Sequence, residues 1–467
     1  MRLVMKFGGT SVGDGPRIRN VAKLVKKYHD EGNEVIAVAS AMTGITDKLY
    51  DMAQAAKDTC SIEEIEKSFA EVRQRHEAAI ASAIDDENIR SEVAVVIDQR
   101  LSELKNALVG VCYLGELTNR SLAYVYSFGE RMCVPILSGS LRSMGVKSVA
   151  LTGGEAGVIT DSKFESAKPD PVTDVKVKEK LLPLLEQSVL PVVTGFVAAN
   201  EKGTITVLGR GGSDYSASII GAAIDADEIW IYTDVNGIMT TDPRIVPEAR
   251  TLPVVTYLEA MEMSYFGAKV LHPKTIEPAV KKGIPVRVLN TFQPEHPGTV
   301  VLMNDDSGHR NLIKAVTMIK NIALINVSGA ALSGTPGVAG RIFSALGKED
   351  INVIMISQAS SEFNVSLAVD GSQADKALAV LQNEFSGELA QSFSCNNNVC
   401  VIAVVGERMA GSPGVAGRLF TALGEEGINI RMISQGSSEA NISFVVNKED
   451  AQKAVKVLHK IFELNKL

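Results

Sequence analysis

The chain has 467 residues, 45% of them hydrophobic and 22% charged, with a formal net charge of −8. That length exceeds what one hydrophobic core usually serves, and the composition excludes a disordered or collagen-like chain. The acidic balance and the dispersed Lys and Arg exclude a general nucleic-acid partner, and no apolar run approaches the roughly 18 residues of a membrane span.

Five cysteines at irregular spacing, with no C-x-x-C pair, predict neither a disulfide framework nor a structural zinc site. The opening residues lack the pattern of a secretory leader, so a cytoplasmic protein is expected.

The first strand-like run is LVMKF (3–7), followed by a glycine turn, Gly8-Gly9-Thr10-Ser11. Lys6 just before it supplies a point charge, and glycines let backbone N–H groups approach a phosphate. The pattern is neither G-x-G-x-x-G nor G-x-x-x-x-G-K-[ST]. A helix is expected over 17–32, ending at Gly32. EVIAVAS (34–40) is the second strand, and the small polar stretch Ser40–Asp47 follows it. Residues 61–109 are long, charged and poor in glycine, which predicts a helical excursion.

Further strand-like runs are VLPVVTGF (189–196), EIWIYTD (228–234) and PVRVLN (285–290). Alternation of such runs with helical patterns predicts a mostly parallel sheet covered on both faces. Two more loops follow β-like runs: TVLGRGGSDYSA (206–217) and YTDVNGIMTTDPR (232–244). Each loop alone reads as an ordinary turn. Four of them combine anion binders with carboxylates, the mixture that phosphoryl transfer needs.

The C-terminal third repeats itself. Residues 333–370 and 410–447 match at 24 of 38 positions without a gap. Two copies are too few for a solenoid. Each reads strand, helix, strand, strand, helix, one strand short of a ferredoxin-like βαββαβ unit. Copy one completes itself with 388–395. Copy two has nothing after its last helix, so the unpartnered run IKAVTMIK (313–320) is expected to supply its missing strand. Copy one is then inserted within copy two. The competing reading makes 313–320 a linker strand.

Taken together, MKFGGTSV, SFGE, GRGGSDYSA, TDVNGIMTTDPR and GAKVLHP resemble the aspartate kinases of the amino acid kinase family, and the doubled region resembles their paired ACT domains. The resemblance covers nearly the whole chain. It implies an α/β three-layer kinase domain with a mostly parallel central sheet over 1–305, and two ferredoxin-like ACT domains. These are residues 321–395, and 313–320 plus 399–467.

It implies transfer of the γ-phosphoryl group of ATP, with Mg²⁺, to the side-chain carboxylate of L-aspartate, giving 4-phospho-L-aspartate on the route to lysine, threonine, methionine and isoleucine. Lys6 and Asp214 match the catalytic positions. Thr46, Glu130, Phe196, Arg210, Ser213 and Asp214 match positions around the amino acid. Lys6, Gly8, Gly9, Thr233, Asp234, Met239, Arg244, Lys269 and Val270 match the nucleotide and phosphate positions. Met239 departs from the tyrosine of some relatives. Arg210 has the planar fork for a carboxylate, and Glu130 the charge for an ammonium. The plain alternative for Glu130 is a surface glutamate at a helix start. No protein-held metal site is expected.

The resemblance also implies an end-product effector at Ser333, Gly337, Val338, Ala339, Asn352, Val353, Ser357 and Gln358 of copy one. The hydroxyl-rich loop suits threonine better than lysine. Arg431 stands in copy two where copy one has Ile354. A homodimer through the ACT domains, or a tetramer, is expected, with no membrane partner and no fused second catalytic domain. Two alternatives stay open: a kinase for glutamate or another small acid, and an amino-acid-sensing subunit without kinase activity.

Overall fold

The structure is a computed structural model that describes residues 1–268, 271–305, 312–329, 336–358, 364–386 and 391–466. It divides into two compact units. The first is 1–238, 253–257 and 271–305. The second is 239–252, 258–270 and 306–467.

The first unit starts with β1 (Arg2–Phe7), α1 (Gly15–Asp30), β2 (Glu34–Ala39), α2 (Ile45–Asp58), α3 (Ile62–Ala83), α4 (Glu87–Leu114) and α5 (Asn119–Ser143). It continues with β3 (Ser148–Leu151), β4 (Ile159–Thr160), α6 (Thr173–Glu186), β5 (Leu190–Thr194), β6 (Val197–Asn200), β7 (Ile205–Val207), α7 (Gly212–Ala223), β8 (Glu228–Thr233) and β9 (Val254–Thr256). Helix α8 (Tyr257–Tyr265) belongs to the second unit after Tyr257. Then α9 (Pro273–Lys281), β10 (Val286–Asn290) and β11 (Thr299–Leu302) complete the first.

The central sheet runs β3-β5-β2-β1-β8-β10-β11-β9, parallel throughout except between β10 and β11. Strand order reverses at β1, whose neighbours are β2 and β8. In open α/β sheets the ligand crevice forms there, at the strands' C-terminal ends. Side chains alternate along β1. Leu3, Met5 and Phe7 join the core built with α1 and α5. Val4 and Lys6 lie on the opposite face, where α7 packs close: Gly221 has no side chain to clash with Ile229. Lys6 is thereby placed on the α7 side by register alone.

The helical excursion is α3 and α4, joined by the short link 84–86. Against expectation, Cys60 and Cys112 form a disulfide, their Cα atoms 4.9 Å apart. They are 52 residues apart in sequence. The α3–α4 hairpin folds the chain back and brings its two ends together, which cysteine spacing does not reveal.

The second unit holds β12 (Ala315–Gly329), α10 (Val338–Lys348), β13 (Val353–Gln358), β14 (Asn364–Asp370), α11 (Ala374–Glu384), β15 (Gln391–Val405), α12 (Val415–Glu425), β16 (Ile430–Ser434), β17 (Asn441–Asn447) and α13 (Ala451–Ile461). One sheet runs β13-β14-β12-β15-β17-β16. Both long strands serve both repeats. Ala315–Ile319 pairs with Val401–Val405 beside β17, and Ile322–Gly329 lies between β14 and the first half of β15. The helices cover one face. Ala323, Ile325 and Val327 pack under α10 and α11, and Ile402, Val404 and Phe444 under α12 and α13.

Candidate active site

A cleft of about 380 Å³ opens at the C-terminal ends of the first unit's strands. It is lined by Lys6, Gly8 and Gly9 after β1, Ser40 to Gly44 after β2, and Thr46 and Asp47 in the first turn of α2. Glu130 of α5, Phe196 between β5 and β6, and Gly209 and Gly211 to Asp214 at the start of α7 complete it. Two helix N-termini, those of α2 and α7, border it, and their dipoles favour an anion there.

Lys6 and Asp214 form an ion pair, with Nζ 2.5 Å from Oδ1 and both side chains nearly buried. Lys6 is thus the charged partner of that buried oxygen, which takes no hydrogen bond from any other described residue. Asp214 sits in the first turn of α7, where a carboxylate suits the dipole.

Glu130 is the least expected element. It lies mid-helix in α5 and is only 3% exposed, neither at a surface nor at a helix start. Gly129 makes this possible: a Cβ there would stand 2.7 Å from the Ala41 side chain. The close approach lets Ala41 N–H donate to Glu130 Oε1 at 3.1 Å. Oε2 is buried with no partner among the described residues. Burial pushes the Glu130 pKa up to about 8, against the opposing Ala41 hydrogen bond. A buried, half-satisfied carboxyl in a cleft is a vacancy for a cationic group.

The backbone around it is set tightly. Phe196 holds a left-handed φ of 64°, and its N–H donates to Ser216 Oγ at 3.0 Å. Gly212 is glycine because a Cβ would meet the Phe196 ring at 2.6 Å. A left-handed non-glycine residue of this size is the kind of strain that clusters at functional sites.

In the sequence Ser40 only starts the polar loop Ser40–Asp47, with no role assigned to it, yet Ser40 Oγ donates to Ser213 Oγ at 2.8 Å inside the cleft. Its place at the end of β2 was the available signal. Asp47 also lines the cleft.

The other expected residues are distributed as follows. Gly8 N–H is engaged by Tyr232 O at 3.3 Å, whereas Gly9 N–H has no acceptor among the described residues. Arg210 is exposed and outside the cleft lining, without an ion pair among the described residues. Thr233 ends β8 and Asp234 follows it, with Thr233 Oγ1 donating to Asp234 Oδ1 at 3.2 Å. Met239 and Arg244 belong to the second unit. Arg244 is 88% exposed and forks onto Asp242. Lys269, Val270 and Ser333 lie outside the described residues.

In the second unit, Gly337 caps α10 with φ 88°, and Val338 and Ala339 form its first turn. Asn352 precedes the edge strand β13, which carries Val353, Ser357 and Gln358. Tyr265 Oη donates to Ile354 O at 3.0 Å on that edge.

Comparison with known proteins decides the family. The amino acid kinase family model matches residues 1–290, and an ACT domain model matches 325–385 and 402–462. The chain belongs to the amino acid kinase family. Its C-terminal third is a pair of ACT domains.

It is 36% identical to the bifunctional aspartokinase/homoserine dehydrogenase 1, chloroplastic, of Arabidopsis thaliana, over 99% of this chain and 51% of that protein. The chain thus spans about half the length of the bifunctional relatives it matches. Aspartokinase 3, chloroplastic, of the same plant is 35% identical, covered to 81%. E. coli aspartokinase III is similar over almost the whole of both chains. Its complex with aspartate and ADP superposes with a TM-score of 0.80 at 30% identity, and its complex with lysine and aspartate with 0.82 at 29%.

Proposed function

We propose that the chain is an ATP-dependent aspartate kinase, forming 4-phospho-L-aspartate by transfer of the γ-phosphoryl group to the side-chain carboxylate. The observation that carries this is one cleft holding a buried Lys6–Asp214 pair beside a glycine turn, and a buried Glu130 with one oxygen unmatched. The aspartate and ADP held by the E. coli relative support the same reading.

In this reading Glu130 receives the substrate ammonium, and Thr46, Ser213 and Phe196 shape the surrounding pocket. Arg210 takes a substrate carboxylate. The attacking carboxylate is already ionised near pH 7, so no strong base is needed. The task is to bring two anions together. Lys6, held by Asp214, and Gly9 N–H neutralise the moving phosphoryl charge. Gly8 adds close approach rather than a donor, since its N–H is engaged.

Thr233, Asp234, Met239, Arg244, Lys269 and Val270 are the proposed nucleotide contacts. Mg²⁺ would come with the nucleotide and screen its phosphates.

The proposed domain boundaries are 1–305, 321–395, and 313–320 with 399–467. The pairing of Ala315–Ile319 with Val401–Val405 supports them. The proposed regulator is an end-product amino acid at the copy-one edge, threonine or lysine, acting in a homodimer or tetramer built through the ACT domains. Feedback would require two global states that bind it differently.

The test is ATP- and Mg²⁺-dependent acyl phosphate, trapped as hydroxamate, with L-aspartate and L-glutamate offered separately, each with and without threonine or lysine. Signal with aspartate alone is expected, lost on adding one amino acid. Signal with glutamate alone would reassign the acceptor. No signal from folded protein would leave the sensing-subunit reading.

A further inference from the structure

The segment 239–252 carries Met239 and Arg244, two of the proposed nucleotide contacts, and it is built into the second unit. Its own residues explain how it is held. Ile245 and Val246 are buried in the same cluster as Val455 and Leu458 of α13. Met239 bridges Thr251, and Thr240 N–H donates to Arg250 O at 2.8 Å, so the segment is a loop closed at its neck. Thr240 is fully buried there. Its carbonyl accepts from Val316 N–H of β12 at 2.9 Å, and its hydroxyl accepts from Arg250 N–H at 3.0 Å.

The same hydroxyl lies 3.0 Å from Nε2 of His459, a buried residue of α13. A hydroxyl has one proton to give. With Arg250 N–H donating to its oxygen, the arrangement is fully satisfied when Thr240 donates to a neutral His459 ring. Burial lowers the His459 pKa, with Glu248 of the same segment opposing, which favours that neutral ring. A histidine from the last helix thus completes the neck of the loop that presents Arg244.

We propose that His459 is a positioning residue for the nucleotide: through Thr240 it fixes the loop that carries Met239 and Arg244. The proposal rests on the kinase reading above. A histidine serving only the core would matter for folding and leave nucleotide affinity alone.

The test uses the full chain and three variants: His459→Leu, His459→Gln, whose amide oxygen can still accept from Thr240, and Thr240→Val. Hydroxamate kinetics give kcat and the KM for ATP and for aspartate separately. Hydrogen exchange reads protection of 239–252. Expected for His459→Leu is a KM for ATP raised about tenfold, with kcat and the aspartate KM within about twofold, and faster exchange in the loop. Thr240→Val should do the same, the double variant should add little, and Gln should recover most of the loss.

An unchanged KM for ATP in folded His459→Leu overturns the proposal. So does an equal change in all three constants that Gln does not rescue, which marks a structural role. Absence of both turnover and MgADP binding in the unaltered protein overturns the kinase reading, and the proposal with it. Turnover in that protein with no variant effect sinks only the proposal.

Discussion

Among the described residues two glutamates are buried almost completely, one in each unit, and their surroundings treat them oppositely. Glu259 of α8 is 1% exposed, with Oε2 2.9 Å from Lys314 Nζ and Oε1 accepting from Glu407 N–H. Glu130 is equally deep, yet only one of its oxygens has a partner among the described residues, and its pKa rises to about 8. The first carboxylate is matched by the fold. The second keeps one oxygen unmatched among the described residues. Burial of an acid therefore says little about function until its partners are known.

The lysines repeat the contrast, and the same substitution should separate them. Lys6→Met removes the positive charge from the cleft. It should lower kcat about 10²- to 10³-fold in the hydroxamate assay, the scale seen when one stabilising donor is lost. Lys314→Met removes the cation beside the buried Glu259 carboxyl in the second unit. It should cost about 3–5 kcal/mol of stability by urea unfolding, with kcat of the folded protein nearly unchanged. If Lys314→Met cut turnover as deeply as Lys6→Met, the division into a chemical and a structural pair would be broken.

His76 sharpens the comparison from another side, because an orphan atom need not mark a ligand. It is buried in α3, outside the cleft lining, with Nδ1 bonded to Val72 O and Nε2 without a partner among the described residues. Burial lowers its pKa from 6.5 to about 4. The unfolded chain binds this proton first, so stability is full above pH 6.5 and falls as the pH drops toward 4. The loss should reach about 3 kcal/mol by chemical unfolding at pH 4, with His76→Gln flattening the curve.

Much of this was legible in the sequence. Lys6 before a glycine turn, and 313–320 as the missing strand of copy two, came from the sequence; the structure places Lys6 opposite the Leu3-Met5-Phe7 core and pairs Ala315–Ile319 with Val401–Val405. The depth of Glu130 was not legible. It depends on Gly129 admitting the Ala41 loop, a contact between segments nearly ninety residues apart. The Cys60–Cys112 link needed the α3–α4 hairpin for the same reason. The attachment of 239–252 to α13 rests on a single hydroxyl and two apolar side chains. A motif read along the chain names residues but not the surface that holds them. Even where the repeats agree, their faces diverge. Ala323, Ile325 and Val327 keep apolar equivalents in Cys400, Ile402 and Val404, whereas Asn326 and Ser328 become the buried Ala403 and Val405.

The vacancy at Glu130 can be tested by removing its charge. Glu130→Gln should raise the KM for aspartate about 10- to 100-fold, as loss of a charge-assisted hydrogen bond does. Stability at pH 8 should stay equal or rise, because the amide has no charge to bury. A large fall in stability with an unchanged KM would make Glu130 another Glu259.

The smallest effect is the most specific. Without ligand, the carboxyl of Glu130 keeps its proton to about pH 8, whereas in the unfolded chain it loses it near 4.5. Its folded pKa is raised, so its contribution to stability is present below about 4.5 and declines as pH rises through 8. Substrate ammonium requires the ionised form. At pH 6 and 7 binding must therefore release a proton, and the KM for aspartate should fall by up to about tenfold per pH unit between them. Above pH 8 it should level off. Glu130→Gln should abolish the slope while leaving the pH dependence of the ATP KM in place. A slope that survives the substitution would assign the titration to another group and remove the cation vacancy from Glu130.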